Sequence, residues 1–209
     1  INRASYNENL MNVREAIKEL GKYELRKYEL NRQKKILATK KDAQSKKRLK
    51  RLKKFQTTKD LNFTHILLPD YGLRLLQVAP LLPYYDIDPE VVQFVGTGVW
   101  DDDVFFDEPS LQGAIFPGIS KKNRAEFIEE YIKAYDSEPM RIVTIMYDLI
   151  GLLDYIIEKK LDLESAFKLL NNNKFSFEGI DGKFIFKNNL IKRDLNILQI
   201  KDGAAILVE

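Results

Sequence analysis

The 209-residue chain has no cysteine and a single histidine, His65. The lack of cysteine excludes disulfides, thiolate metal sites and a cysteine nucleophile. His65 has no second histidine or cysteine to complete a metal site or a dyad, and it stands in an apolar run, so we interpret it as structural. Seven prolines and ten glycines are too few for a largely disordered chain. We therefore expect a folded chain with one substantial domain or two small lobes.

Long apolar runs are also missing. No run of about 18 uncharged apolar residues occurs, and the nearest, residues 142–157, contains Asp148 and Asp154. The sequence therefore predicts no transmembrane segment. Its first residues, Ile1-Asn2-Arg3, include no initiator methionine and have neither the basic start nor the apolar core of a secretion signal. We expect a mature or truncated product, with any targeting segment outside this sequence.

Motifs for nucleotide chemistry and nucleophilic catalysis are absent. Gly96-Thr97-Gly98 lacks the third glycine and the following helix of a dinucleotide fingerprint, and there is no phosphate loop or serine elbow. A cluster of acidic side chains follows this motif: Asp101, Asp102, Asp103, Asp107 and Glu108. Because their spacing is not that of a calcium-binding loop, we interpret them as solvated loop charges rather than as a cation site. The sequence predicts a non-enzymatic protein with no catalytic residue, metal or cofactor.

The net charge of +3 conceals one strongly basic segment. Between Arg32 and Lys54, twelve Lys or Arg accompany one acid, Asp42, which gives this segment a charge of +11. We predict one long polar helix over residues 31–56. Its candidates for contact with a partner, nucleic acid or an anionic surface are Lys46, Lys47, Arg48, Lys50 and Arg51. A single aromatic residue and a thin apolar stripe favour a solvated insertion over a nucleic-acid or membrane binder.

Hydrophobic periodicity predicts the remaining elements. Before the basic segment it indicates a helix over residues 7–20, closed by Gly21 in the left-handed conformation, and a partly exposed strand over residues 23–30. Buried strands follow at 63–68, 91–95 and 113–116. A helix at 71–82 connects the first two strands, which implies a right-handed strand–helix–strand crossover.

Helices then dominate until about residue 170. Ser120 caps a helix that runs to about Tyr135, Pro139 opens a second helix that is apolar on most sides and should be buried, and residues 163–170 form a third. Strands at 184–186, 195–200 and 204–208 close the chain, and Asp181-Gly182 forms a turn before the first of them.

Two loops at the ends of predicted parallel strands are candidate binding sites, because ligands bind beyond the carboxyl edge of such sheets. In the first, Asp70 and Tyr71, followed by Gly72, could receive an ammonium or hydroxyl group. In the second, Gly96-Thr97-Gly98, the glycines allow close backbone approach, Trp100 supplies a flat apolar wall, and Asp101 follows. The structural alternative makes Asp70 a helix cap, the glycines a turn and Trp100 a core residue.

The order of these motifs resembles the type I periplasmic binding proteins, and most of all their penicillin-binding-protein activator branch, related to leucine/isoleucine/valine-binding proteins. The matching segments cover nearly the whole chain: residues 63–70, 75–84, 92–102, 108–114 and 177–186, together with Tyr131, Tyr135, Pro139, Tyr147 and Asp148. The resemblance implies an α/β fold of two parallel-sheet lobes with flanking helices, crossed three times by the chain.

The resemblance also implies a domain plan. Residues 1–116 would be the second lobe, with the basic insertion at about 31–56, residues 117–173 would be helices of the first lobe, and residues 174–209 would be strands that cross between the lobes. The amino-terminal sheet of the first lobe would lie outside this sequence, which leaves the helices at 120–170 without their usual sheet.

Several functions remain open. The resemblance implies a periplasmic protein that acts through a penicillin-binding protein in cell-wall synthesis. The alternative is a receptor for an amino acid or a similar small polar ligand that serves an ABC-transporter permease, in which Asp70 and Tyr71 meet the ligand's ammonium group. A nucleic-acid or anionic-surface binder acting through residues 32–54 is a further alternative, with nucleic acid the less favoured partner.

Overall fold

The computed structural model describes residues 2–119, 121–172, 174–188 and 190–208. The predicted cap Ser120 lies outside them. The chain divides into two compact units. The first comprises Ile1–Thr97 and Val104–Ile115, and the second comprises Gly98–Asp103 and Phe116–Glu209.

The first unit begins with three helices, α1 (Val13–Leu20), α2 (Tyr23–Thr39) and α3 (Ala43–Leu52). Arg26 is buried in α2, and all three of its guanidinium nitrogens donate hydrogen bonds. The backbone acceptors are the carbonyls of Gly21, Thr58, Tyr85 and Asp86, at 2.7–3.2 Å. These bonds tie three chain segments of the unit, at Gly21, Thr58 and residues 85–86, to one side chain.

The sheet of the first unit is short and parallel. Strand β1 (His65–Leu67) pairs with β2 (Gln93–Val95), and Val95 pairs with Ile115, the first residue of β3 (Ile115–Gly118). Between β1 and β2 lie α4 (Gly72–Val78) and α5 (Leu81–Tyr84). Buried apolar side chains from these elements and the following loops form the core; they include Leu75, Ile87, Phe94, Phe105 and Phe106.

The second unit combines helices with two groups of strands. Its helices are α6 (Lys121–Tyr135), α7 (Arg141–Glu158) and α8 (Leu163–Leu170). Strands β4 (Phe177–Gly179), β5 (Gly182–Lys187) and β6 (Leu190–Arg193) form an antiparallel sheet. Strands β7 (Asn196–Lys201) and β8 (Ala204–Leu207) form an antiparallel pair that follows β3 in the strand order β1-β2-β3-β7-β8.

The structure corrects several predictions near the amino terminus. Residues 23–30 are helical rather than extended, because the buried side chains Tyr23, Arg26 and Leu30 recur at helical spacings of three and four. The predicted helix over 31–56 is two helices, since α2 ends at Thr39 and α3 begins only after Asp42, whose side chain caps it. Gly21 has a right-handed conformation (φ −81°), and Lys22 is the left-handed residue (φ 48°).

Burial was also mispredicted at two elements. Strand β1 is not buried on both faces, because His65 and Leu67 are exposed and only Ile66 between them is buried. Among the described side chains of helix α7, only the narrow stripe Thr144, Asp148 and Leu152 is buried, while most of the apolar ones are exposed. That stripe recurs at i, i+4 and i+8, so one face of the helix accounts for its packing.

Two further corrections concern element boundaries. The predicted helix over 71–82 ends at Val78, and α5 follows as a separate turn of helix. Strands β4 and β6 were not predicted. By contrast α8 occupies the predicted residues, and Gly182 opens β5 with φ +81° after Asp181, as the turn prediction requires.

Candidate functional site

The carboxyl end of β1 places Asp70 in the interior of the first unit. Leu68, just beyond the strand, donates its backbone N–H to the carbonyl of Val95 at 2.9 Å, which fixes where the chain leaves the sheet. Asp70 follows two residues later and is buried. Its carboxylate oxygen Oδ2 accepts a hydrogen bond from the phenol of Tyr6. The predicted ligand carboxylate is therefore engaged by a side chain 64 positions earlier in the sequence.

Burial, followed by the hydrogen bond to Asp70, raises the pKa of Tyr6 above the usual tyrosine value. The phenol therefore stays protonated at neutral pH and remains a donor to the carboxylate. The hydrogen bond between Tyr6 and Asp70 is thus a polar contact of the loop that follows β1.

A groove of about 980 Å³ runs along β1 beside this pair. Its walls are largely apolar and include Ala16, Ile17, Leu20, Val78, Leu82 and Val95. Arg74 also lines it, and its Nη2 donates to the carbonyl of Glu8 at 3.4 Å. A carboxylate and a guanidinium within an apolar groove could together hold a small molecule that carries both charges.

The other predicted residues of this loop face solvent. Tyr71 is 66% exposed, and Gly72 opens α4 with φ +56°, a conformation that favours glycine. Tyr71 is the residue just before α4, and its side chain makes no capping hydrogen bond to that helix. Thr97, which belongs to the second predicted loop and follows β2 by two residues, is half-buried.

From Gly98 to Asp103, the second predicted loop lies in the second unit and is anchored by its own packing. Gly98 is exposed, while Trp100 is fully buried and packs its ring 6.4 Å from that of Phe116. Asp101 is buried, and both of its carboxylate oxygens lie 3.1 Å from Nη2 of Arg124. Trp100 packs as the structural alternative predicted, and Asp101 serves as the partner of a buried cation.

The predicted site residues thus fall into two groups, one in each unit. Asp70, Tyr71, Gly72 and Thr97 belong to the first unit; Gly98, Trp100 and Asp101 belong to the second. Two residues that complete these groups, Tyr6 and Arg124, were missed. Neither has a local sequence signal, because each meets its partner only through the tertiary fold.

The second unit also contains a buried ionic cluster at the seam of α7 and the β4–β6 sheet. Nη2 of Arg193 lies 3.1 Å from Oδ2 of Asp148, and its Nη1 lies 3.1 Å from Oδ2 of Asp181 without hydrogen-bond geometry. Asp148 accepts the backbone N–H of Ile180 at 2.6 Å, and Thr144 donates to Asp181 at 2.9 Å. The cluster therefore joins a helix, a turn and a strand.

The predicted contact residues of the basic segment are all on α3 and all exposed: Lys46, Lys47, Arg48, Lys50 and Arg51. In the described part of the chain, no group of three or more His, Cys, Asp or Glu side chains is placed to hold a metal ion. Likewise, no helix among the described residues has the length and apolar character needed to cross a membrane.

This mixed arrangement of parallel and antiparallel strands with flanking helices has the fold of the type I periplasmic binding proteins, as solved structures indicate. An extracellular ligand-binding receptor from Rhodopseudomonas palustris matches 69% of this chain with a TM-score of 0.56 and 16% identity. The branched-chain amino acid substrate-binding protein LivJ from Streptococcus pneumoniae, solved with isoleucine, matches 72% with a TM-score of 0.52 and 20% identity.

A solute-binding protein of an ABC transporter from Rhodopseudomonas palustris, solved with 3,4-dihydroxybenzoic acid, matches 69% of the chain with a TM-score of 0.50 and 17% identity. The alignments cover 47%, 46% and 43% of the three solved chains, so this chain spans less than half of each. No protein-family profile and no curated protein sequence matches the chain. The solved structures nevertheless confirm the type I periplasmic-binding-protein fold predicted from the sequence.

Proposed function

We propose that this chain is part of a non-enzymatic periplasmic protein of the penicillin-binding-protein activator kind, which acts by docking onto a cell-wall synthase. Its loop sequences resemble that branch, and its fold is the one that the resemblance implies.

The observation that carries the proposal is that both strand-end carboxylates hold side chains of the chain itself. Asp70 accepts the phenol of Tyr6, and Asp101 pairs with Arg124 at 3.1 Å. A receptor that used either carboxylate for a ligand's ammonium group would first have to open a buried contact, at a cost of about 1–3 kcal/mol for an unmade hydrogen bond. Internal pairing favours a protein whose cleft does not have to bind a solute.

The exposed side chains of the first loop fit a protein partner. Tyr71 is 66% exposed and Leu73, two residues further, is 77% exposed. Tyrosine is common at the energetic centres of protein interfaces, because it buries a large ring and keeps a hydroxyl for hydrogen bonding. We therefore place the docking contact at Tyr71 and Leu73.

The test measures binding of a penicillin-binding protein to the immobilised full-length protein by surface plasmon resonance. We expect Tyr71→Ala to weaken binding at least tenfold. Tyr28→Ala is the matched control, because Tyr28 has the same 66% exposure and also lies in the first unit. Equal affinities for the two variants would remove Tyr71 from the contact, and no binding of any penicillin-binding protein would reject the function.

The solute-receptor alternative is favoured by one observation, the groove of about 980 Å³ that presents both Asp70 and Arg74. A thermal-shift screen of the full-length protein against the common amino acids tests it. A ligand at one hundred times its Kd would raise the melting temperature by about 5–10 °C. If Asp70→Ala abolishes that shift while Tyr71→Ala leaves synthase binding intact, the receptor function replaces the proposed one.

A further inference from the structure

The basic segment folds as a hairpin of two helices. Helices α2 and α3 pack against each other, joined by residues 40–42, and Nζ of Lys34 on α2 donates to the carbonyl of Phe55 just beyond α3 at 2.9 Å. The apolar side chains Leu37, Leu49 and Leu52 are half-buried. These three leucines are thus partly covered, while most polar side chains of the segment are exposed. We name residues 32–54 the basic hairpin.

The charge of the basic hairpin is of one sign and is not neutralised within the described part of the chain. Eleven of its twelve Lys and Arg side chains are exposed, Lys34 being half-buried, and none of the twelve forms an ion pair there. The one acid, Asp42, caps α3 through the backbone N–H of Ser45 at 2.8 Å, and that bond lowers the pKa of Asp42. A charge of +11 is thus concentrated on one exposed structure.

The residue types of the basic hairpin favour one class of anionic partner over another. Nine of the twelve cations are lysines, which act as point charges and lack the planar fork with which arginine reads bases and bidentate anions. Residues 32–54 contain no aromatic residue, and the neighbouring Tyr28 on α2 and Phe55 after α3 stand at opposite ends of the sequence segment, so it carries no row of rings to stack on nucleobases. These features provide no means of reading or stacking on bases, so they favour phospholipid headgroups, which present phosphates without bases, over a nucleic acid.

Exposed apolar side chains are also few. Ile36 is 49% exposed and Phe55 is 36% exposed, which is enough to touch a headgroup layer but too little to insert a helix. At about 1.5 Å per residue, residues 32–39 of α2 extend about 12 Å and the ten residues of α3 about 15 Å, so charges spread along the hairpin can contact several headgroups at once. We propose that the basic hairpin docks the protein onto the anionic phospholipid headgroups of a membrane surface, by charge attraction without insertion.

The experiment is sedimentation of the full-length protein with vesicles of phosphatidylcholine that contain 30% phosphatidylglycerol. Each basic residue near such a surface contributes about a fivefold gain in binding, and salt screens that gain. We expect binding in 50 mM NaCl, at least a tenfold loss in 500 mM NaCl, and no binding to vesicles of phosphatidylcholine alone. Replacing Lys46, Lys47, Arg48, Lys50 and Arg51 with glutamine should lower binding at least a hundredfold.

A matched control removes the same number of charges elsewhere. Lys133, Lys174, Lys183, Lys187 and Lys201 are exposed in the second unit, and replacing them with glutamine should leave vesicle binding within about threefold of the unmodified protein. Circular dichroism verifies that both variants are folded. Absent binding in 50 mM NaCl, or equal losses in the two variants, would overturn the proposal. Tighter binding to a DNA duplex than to vesicles would overturn it in favour of a nucleic-acid partner.

Discussion

Replacing Gly179 with alanine tests how tightly the buried ionic cluster of the second unit is built. A Cβ atom at this position would lie 2.5 Å from Oδ1 and 2.6 Å from Oδ2 of Asp148, which is closer than such atoms approach in proteins. The carboxylate would have to move. It could not do so freely, since it accepts the backbone N–H of Ile180 at 2.6 Å and lies 3.1 Å from Arg193.

The cost follows from what the displaced carboxylate leaves behind. The side chain of Asp148 is 1% exposed and that of Arg193 is 14% exposed, so solvent cannot replace the lost contact. Breaking a buried ion pair costs about 3–5 kcal/mol, and partial relaxation places Gly179→Ala near the lower end, at about 3 kcal/mol. For a chain of this size that corresponds to a fall in melting temperature of about 6–12 °C.

The single tryptophan supplies the assay. Trp100 is fully buried and belongs to the same unit as Gly179, so its fluorescence during urea unfolding reports on that unit. Gly151→Ala is the control, because a Cβ there would meet Phe177 at an ordinary 3.5 Å and alanine favours the α7 helix by about 1 kcal/mol. The predicted clash at Gly179 is refuted if the free energy of unfolding of Gly179→Ala lies within about 0.5 kcal/mol of that of the unmodified protein, or if Gly151→Ala lowers it equally.

Three further substitutions test the polar contacts. Arg26→Met should lower the free energy of unfolding by about 3–5 kcal/mol, because four backbone carbonyls inside the first unit lose their hydrogen-bond donor. Urea unfolding followed by far-ultraviolet circular dichroism measures this loss, and a value below about 1 kcal/mol would contradict the stabilising role of Arg26. Asp101→Asn should cost about 3 kcal/mol by Trp fluorescence, because Arg124 stays buried without its counter-charge, and unchanged stability would refute the pairing. Tyr6 has a raised pKa, so its contribution is present below pH 10 and is lost as pH rises through its folded value. Tyr6→Phe should remove the latest phase of tyrosine ionisation at 295 nm, and an unchanged titration would count against the bond to Asp70.

Elements with one clear period could be predicted from the sequence. Helix α8 and the turn before β5 follow directly from apolar spacing and a left-handed glycine. The segment at 23–30 was mispredicted because its buried stripe contains Arg26, which a hydrophobic pattern counts as polar. Only the carbonyls that surround Arg26 in three dimensions make its burial favourable, and no local pattern records them.

The candidate site shows the same division. Strand ends and loop glycines identified where Asp70 and Asp101 would stand, because those features are local. Their partners Tyr6 and Arg124 come from distant parts of the sequence, and the pairing decides whether a carboxylate can receive a ligand. A single sequence can therefore predict the position of such a carboxylate more readily than its occupancy.

The six residues Gly98–Asp103 relate to the rest of the second unit as a tethered peptide relates to its receptor. They are separated in sequence from Phe116 by a stretch of the first unit, yet they supply the ring that packs on Phe116 and the carboxylate that neutralises Arg124. The tether makes this association intramolecular, so it needs little intrinsic affinity. A polypeptide that began at Phe116 would lack this segment, and a synthetic peptide of residues 98–103 would have to restore it from solution.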